Sequence, residues 1–346
     1  MKGKLRFMSV VIFSLGLVLT GCSAKSDSQP TPSVVEATDS HDKIKVQVSF
    51  YPMYEFTKQV AGDLADVESL IPAGIEPHDW EPTPQDMKKL EEADVFVYNG
   101  AGLEGWTDQV LASLSNKQLV QVEASHGLDI MESTSEEEGH DHEHAHDGEA
   151  AAHDHKDEGT AEVGHDHAHD HGGLDPHVWL SPVLAIQEVR NIEQGLAQAA
   201  PGHKDGFKKN ADAYVAQLEQ LDQDFKDGLA NVKRKEFITQ HAAFGYLAKQ
   251  YGLTQIPIAG LSPDQEPSAS QMADIVAFAK AHDAKTIFFE TLVSSKVADT
   301  IAKEIGAKTA VLNPIEGLTD EDLANNLDYL GIMRQNLEAL KAALSA

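Results

Sequence analysis

The chain has 346 residues, 41% of them apolar, and a formal net charge of −29. That length accommodates about two domains and a sizeable core. So acidic a surface excludes nucleic acid, which needs a basic face, and favours the attraction of cations.

Lys2, Lys4 and Arg6 precede an apolar run from Phe7 to Leu19, too short to span a bilayer comfortably. Residues 1–21 therefore read as an export signal. The run ends in Leu19-Thr20-Gly21-Cys22, which resembles a bacterial lipobox. Such a motif implies cleavage before Cys22, lipid on its sulfur, and an extracytoplasmic protein anchored to the cell membrane. Cys22 is the single cysteine, so no internal disulfide can form. Residues 22–43, rich in Ser, Pro, Thr and Asp, read as a flexible tether.

Regular structure is expected from residue 44. Alternating apolar positions predict strands over 44–50, 67–71, 94–100 and 119–122. Helices are expected between them, over 51–62, 84–92 and 104–114. Residues 132–173 break the pattern. They are acidic and histidine-rich with almost no large apolar side chains, so a disordered loop is expected there. Residues 132–171 hold fourteen Asp/Glu and one Lys, which is −13 of the net charge. Loop closure entropy grows slowly with length, so the fold can carry such an insertion.

A helix is expected from Pro182 to about Ala199, and a longer one over 203–231. Phe207, Ala211, Tyr214, Leu218, Leu221, Phe225 and Leu229 form one apolar stripe on the longer helix. The second half repeats the strand–helix alternation. Strands are expected at 236–239, 254–257, 285–289 and 309–312, with helices at 244–251, 268–281, 295–305 and 320–344. The fold class is α/β: two lobes with parallel-type sheets flanked by helices, bridged by a long rigid helix. The expected boundaries are 44–200 for the N-terminal lobe, 201–232 for the linking helix and 233–346 for the C-terminal lobe.

Potential metal donors recur at strand ends or loop-to-helix junctions, where open α/β sheets bind ligands. His78 lies in "GIEPHDWEPTPQD", His177 in "LDPHVWLSP", His241 in "ITQHAAFGYLA" and Glu290 in "TIFFETLVSS". Two come from each half, which places the site in the cleft between lobes. Three imidazoles and a carboxylate suit four-coordinate Zn²⁺ over Mn²⁺, Mg²⁺ or Ca²⁺, which prefer oxygen-rich sites. Pro77 and Pro176 stiffen the backbone before two of the histidines. Trp80 and Trp179 lie two positions after a candidate ligand and read as packing residues. His41, His126, His203 and His282 have no matching motif and read as surface residues.

"PHDWEPTPQD", "DPHVWLSP", "HAAFGYLA" with "GLSPDQEPSA", and "FFETLVSSKVADTIAKEIGAK" resemble the metal-binding receptors of bacterial ABC importers, the cluster A-I (ZnuA-like) solute-binding proteins. The resemblance covers roughly residues 44–346. It implies capture of extracytoplasmic Zn²⁺ as transported cargo, delivery to an ABC permease in the membrane, a monomer, and no catalysis. The family's ligand pattern maps onto His78, His177, His241 and Glu290. Glu76, two residues before His78, or water competes with Glu290 for the fourth position. The manganese receptors of the family usually carry a carboxylate at the third position; His241 places this chain on the zinc side. The alternatives are a manganese or broader divalent-metal receptor, or a surface adhesin with a structural metal. A zinc hydrolase finds no support: H-E-x-x-H and a nucleophile elbow are both missing, and four protein ligands fill the site.

His140, His142, His144, His146, His153, His155, His165, His167, His169 and His171 form a separate run. It reads as a set of weak, fast-exchanging auxiliary zinc sites, against the plainer reading of an acidic spacer. Neutral imidazole binds metal, and the surrounding carboxylates favour the cation, so this binding is expected to weaken below about pH 6.5.

Overall fold

Two four-stranded sheets, each wholly parallel, organise the polypeptide. The structure is a computed structural model and describes residues 43–132, 173–265 and 267–346. The expected signal, the tether up to residue 42, His41 and the run His140–His171 lie outside the described residues.

The first sheet comprises β1 (Ile44–Val48), β2 (Ala65–Ser69), β3 (Val95–Tyr98) and β4 (Val120–Glu123), in the order β2-β1-β3-β4. Its connecting helices are α1 (Tyr51–Ala61), α2 (Pro84–Glu91) and α3 (Thr107–Ser113). The second sheet comprises β5 (Glu236–Thr239), β6 (Thr254–Pro257), β7 (Thr286–Phe289) and β8 (Lys308–Val311), in the order β6-β5-β7-β8. The two orders are the same. Each sheet therefore has its topological switch point between its first and third strands, and a crevice opens there at the strands' carboxyl ends.

Between the sheets run α4 (Pro182–Ala199) and α5 (Lys204–Leu229). The buried stripe of α5 contains every residue expected from the pattern, with Val215 added. α5 packs on α1 and α4 of the first half and on α10 (Tyr329–Leu344) of the second. One continuous apolar core accordingly holds side chains from both halves, from Val46 and Phe56 through Leu218 to Leu337. α4 crosses close to β4: a Cβ on Gly195 would overlap the Val122 side chain. No described helix is long and apolar enough to cross a membrane.

The remaining helices are α6 (Gly245–Tyr251), α7 (Ala269–Ala281), α8 (Lys296–Ile305) and α9 (Asp320–Ala324). Three expectations need correction. The single helix over 320–344 is two, because Asn326 takes a left-handed φ of 52° and the Asp328 carboxylate then caps α10 by accepting the Gly331 N–H. The helix expected from residue 104 starts at Thr107. Glu104 instead turns inward, where its carboxylate accepts bonds from Ser49 Oγ and from the Asn99 and Gly100 N–H groups. β2 spans Ala65–Ser69, two residues earlier than its apolar pattern indicated.

Candidate metal centre

Each donor sits in a loop after a strand or at a loop-to-helix junction. His78 lies in the loop between β2 and α2, where the Glu76 carboxylate accepts its backbone N–H at 3.1 Å. His177 precedes a single 3₁₀ turn (Val178–Leu180) that leads into α4, whose Pro182 supplies a preset φ for the first helical residue. His241 follows β5 by two residues. A fourth donor follows β8: Glu316, in "LNPIEGL".

Glu316 Oε1 lies 3.3 Å from His78 Nε2, 3.3 Å from His177 Nε2 and 3.2 Å from His241 Nε2. The four donor groups place one ligand atom each within 4.8 Å of one another. A tetrahedral ion with bonds of about 2.0–2.1 Å has donor–donor edges of about 3.3–3.4 Å, so these separations match a zinc coordination shell. The exposures are 4% for His78, 0% for His177, 2% for His241 and 1% for Glu316, which leaves the centre sealed from solvent. His177 Nε2, His241 Nε2 and Glu316 Oε2 are buried without a well-aligned hydrogen bond. Buried polar atoms normally find partners, so lone pairs gathered this way fit a cation.

The far sides of two rings are fixed by carboxylates. Asp175 Oδ1 lies 2.8 Å from His177 Nδ1 and also accepts the His177 N–H at 3.0 Å. Glu290 Oε1 lies 2.8 Å from His241 Nδ1. A carboxylate on Nδ1 holds the proton there and leaves Nε2 as the lone-pair donor. Glu290, expected as the fourth ligand, reaches the outer nitrogen of His241, while Glu316 occupies the position on which the three Nε2 atoms converge. Glu76 is not in the converging set either; its Oε1 is 3.9 Å from His78 Nε2. It stands instead with the exposed Asp79 and Asp264 in a second acidic group beside the centre.

Glu316 follows a strand of the second sheet as Glu290 does, one strand later. Its presentation depends on backbone that sequence does not announce. Ile315 is fully buried at φ 60°, a left-handed conformation that is rare for a β-branched residue and costs of order 1–3 kcal/mol. Asn313 Oδ1 accepts the Ile315 N–H at 2.7 Å, and Asn336 brackets Asn313 with bonds of 2.8 and 2.7 Å.

Burial pushes His78 down to about 4. It pulls His177 down as well, but hydrogen bonds to Asp175 and Glu316 outweigh it, and that pKa is raised. His241 is raised well above the usual imidazole range: burial opposes, while the charges of Glu290 and Glu316 prevail. Burial pushes Glu316 up, yet the His241 charge and its imidazole bonds hold it well below the carboxylate range. Glu290 is raised by burial. Burial, and next the charge of Glu316, raise Glu76 to about 8. An anionic Glu316 among rings that compete for protons is a site whose positive charge a divalent ion can supply.

Of the other histidines, His126 is exposed at the surface as expected, and His282 is exposed with its ring stacked on Phe278. His203 is half-buried against Phe207, so it is not a simple surface residue. Trp179 is fully buried and Trp80 half-buried, in keeping with packing roles.

A family model described as "Zinc-uptake complex component A periplasmic" (ZnuA) matches residues 46–343. The high-affinity zinc uptake system protein ZnuA of Bacillus subtilis (strain 168) is 50% identical over 308 residues, which cover 89% of this chain and 90% of that protein. The zinc-binding lipoprotein AdcA of Streptococcus pneumoniae (strain R6) is 44% identical over 299 residues. That match covers 86% of this chain but 55% of AdcA, so the chain spans little more than half the length of that relative. The crystal structure of the Zn(II)-bound ZnuA-like domain of S. pneumoniae AdcA is 40% identical, with a TM-score of 0.70 over 88% of this chain and 100% of the domain.

Proposed function

The chain belongs to the ZnuA family of zinc-uptake components, and from that premise we propose that it is an extracytoplasmic receptor that captures Zn²⁺ with His78, His177, His241 and Glu316. The observation that carries this reading is the convergence of three Nε2 atoms on one Glu316 oxygen at 3.2–3.3 Å. Nitrogen-rich donation supports zinc over manganese as the cargo. Cu²⁺, higher in the usual affinity order, is expected to compete in vitro.

The chemistry is capture. Four protein donors complete a tetrahedron and leave no open position at which a water would be activated, which supports a receptor over a hydrolase. Asp175 and Glu290 keep two rings in the tautomer that donates through Nε2. Because all four donors are buried, cargo leaves when the strand-end segments that carry them separate. Membership of a zinc-uptake family supports an ABC permease as the acceptor, and the lipobox-like sequence ending in Cys22 supports a lipid anchor that would keep the receptor near it. The run His140–His171 serves as a loose auxiliary set that raises local zinc concentration.

Metal content and competition titration of the purified protein test the reading. One tightly held zinc per chain is expected, and Glu316→Ala and His177→Ala are each expected to lower its affinity by several orders of magnitude while leaving weak, measurable binding. Unchanged affinity in both variants would refute the assignment. Loss of growth under zinc chelation when the protein is deleted tests transport as the biological role.

A further inference from the structure

The segment that carries His177 is tied to the second half of the chain on both sides of that histidine. Two residues before it, the Asp175 carbonyl accepts a hydrogen bond from Tyr246 Oη at 2.7 Å. Two residues after it, the Trp179 carbonyl accepts one from Tyr329 Oη at 2.5 Å. Trp179 Nε1 also donates to the carbonyl of Pro314, two residues before Glu316, at 2.8 Å. Tyr246 lies on α6, which follows the His241 turn, and Tyr329 begins α10. From the first half, Asn99 Nδ2 donates to the Pro176 carbonyl at 3.0 Å. Tyr246 is 4% exposed and Tyr329 0%, so bulk water cannot replace either bond.

We propose that Tyr246 and Tyr329 are positioning residues for metal capture. Their hydroxyls hold the His177 segment on the same body as His241 and Glu316. Those three donors thereby form one preorganised face, which His78 completes. Preorganisation lowers the entropy lost when the ion binds. This inference rests on the reading of His177 and Glu316 as zinc ligands. Neither tyrosine touches the ion; each acts on a carbonyl two residues from the ligand.

Tyr246→Phe and Tyr329→Phe test it, each made in the wild-type chain and in His177→Ala. Tyr251→Phe is the control: Tyr251 ends the same helix α6, but its hydroxyl donates to Asp222 of α5 at 3.1 Å, away from the His177 segment. In the wild-type background each of the first two changes is expected to weaken zinc binding at least about fivefold, the worth of one buried hydrogen bond. Tyr329 Oη makes one such bond, while Tyr246 Oη donates to Asp175 and also accepts the Met131 N–H at 2.8 Å. In the His177→Ala background neither is expected to weaken it further, and Tyr251→Phe is expected to change nothing in either. The visible spectrum of the cobalt-loaded protein should shift in Tyr246→Phe and Tyr329→Phe and stay constant in Tyr251→Phe. Equal losses with and without His177 would overturn the proposal, because the tyrosines would then act on general stability. Amide exchange over residues 175–181 is followed in the metal-free variants and is expected to speed up; unchanged protection also overturns the proposal. Faster exchange together with no zinc uptake by the unaltered chain would instead sink the functional reading and leave the tyrosine tether standing.

Discussion

Glu290 and Glu316 approach the same imidazole from opposite edges: Glu290 Oε1 is 2.8 Å from Nδ1 of His241, and Glu316 Oε1 is 3.2 Å from its Nε2. In the proposed centre one carboxylate orients the ring and the other shares the ion with it. The two roles separate on mutation. Glu316→Ala removes a ligand and is expected to weaken zinc binding by several orders of magnitude. Glu290→Gln keeps a hydrogen-bond partner but not the charge, and the loss is expected to be about 10–100-fold. Competition titration against a chelator of known affinity checks both. An equal loss in the two variants would contradict the division.

Glu188 gives a pH signature away from the centre. It lies fully buried on α4, and neither carboxylate oxygen has a hydrogen-bond partner. Burial, and next the charge of Glu104, raise its pKa well above the usual value. The folded state therefore holds this proton more tightly than the unfolded chain does. Stability is full below the ordinary glutamate pKa and falls as pH rises towards the raised folded value. Glu188→Gln removes that dependence. The variant is expected to melt higher than wild type at pH 8 and level with it near pH 4, as thermal scans at the two pH values would show.

Gly195 reports on the contact between α4 and β4. A glycine inside a helix usually gains stability on conversion to alanine. Here the added methyl would overlap Val122. Gly195→Ala is expected to destabilise the fold by about 1–3 kcal/mol, measured by urea unfolding.

Deleting residues 133–172 should leave the tight site intact. Glu132 pairs with Leu174 in an isolated antiparallel bridge, and the Asp175 N–H bonds the Met131 carbonyl at 2.8 Å. The two ends of the segment are therefore already neighbours, and a short turn can join them. One tight zinc per chain is expected to remain, while weak additional uptake disappears. Loss of the tight zinc would place part of the centre in the deleted segment.

Cargo removal is read as a melting shift. Zinc at 1,000 times its dissociation constant is expected to stabilise the fold by about 4.1 kcal/mol, and a chelator should reverse the shift. The four donors come from both halves of the chain, so the gain should appear in one cooperative transition.

Much of this could be read from residue order. Strand–helix alternation announces two parallel sheets, and the stripe from Phe207 to Leu229 announces α5. His78, His177 and His241 stand out because each lies after a strand or at a loop-to-helix junction, where main-chain geometry opens towards a crevice. The choice between Glu290 and Glu316 was not legible. Both follow a strand of the second sheet, and a histidine ring offers two nitrogens on opposite edges. Only the three-dimensional path, with Ile315 at positive φ, decides which carboxylate meets Nε2. The break between α9 and α10 was masked for a related reason. Leucines continue at helical spacing across Asn325 and Asn326, and the pattern does not register a single left-handed residue. Glu104 was read as the start of a helix because its value as an acceptor for Ser49 and two backbone N–H groups arises only when β1 and β3 lie side by side.

Of the chain's three tryptophans, Trp179 packs against His177, and Trp80 and Trp106 line one cavity with His78. The Trp179 ring lies 5.2 Å from that of His177, and Trp80, two positions past His78, meets Trp106 edge-on at 5.5 Å. Indole emission responds to nearby charge. A change from shared protons to a doubly charged ion beside these rings therefore makes the protein its own optical gauge of occupancy, and a stopped-flow trace could time loading and unloading with no label attached.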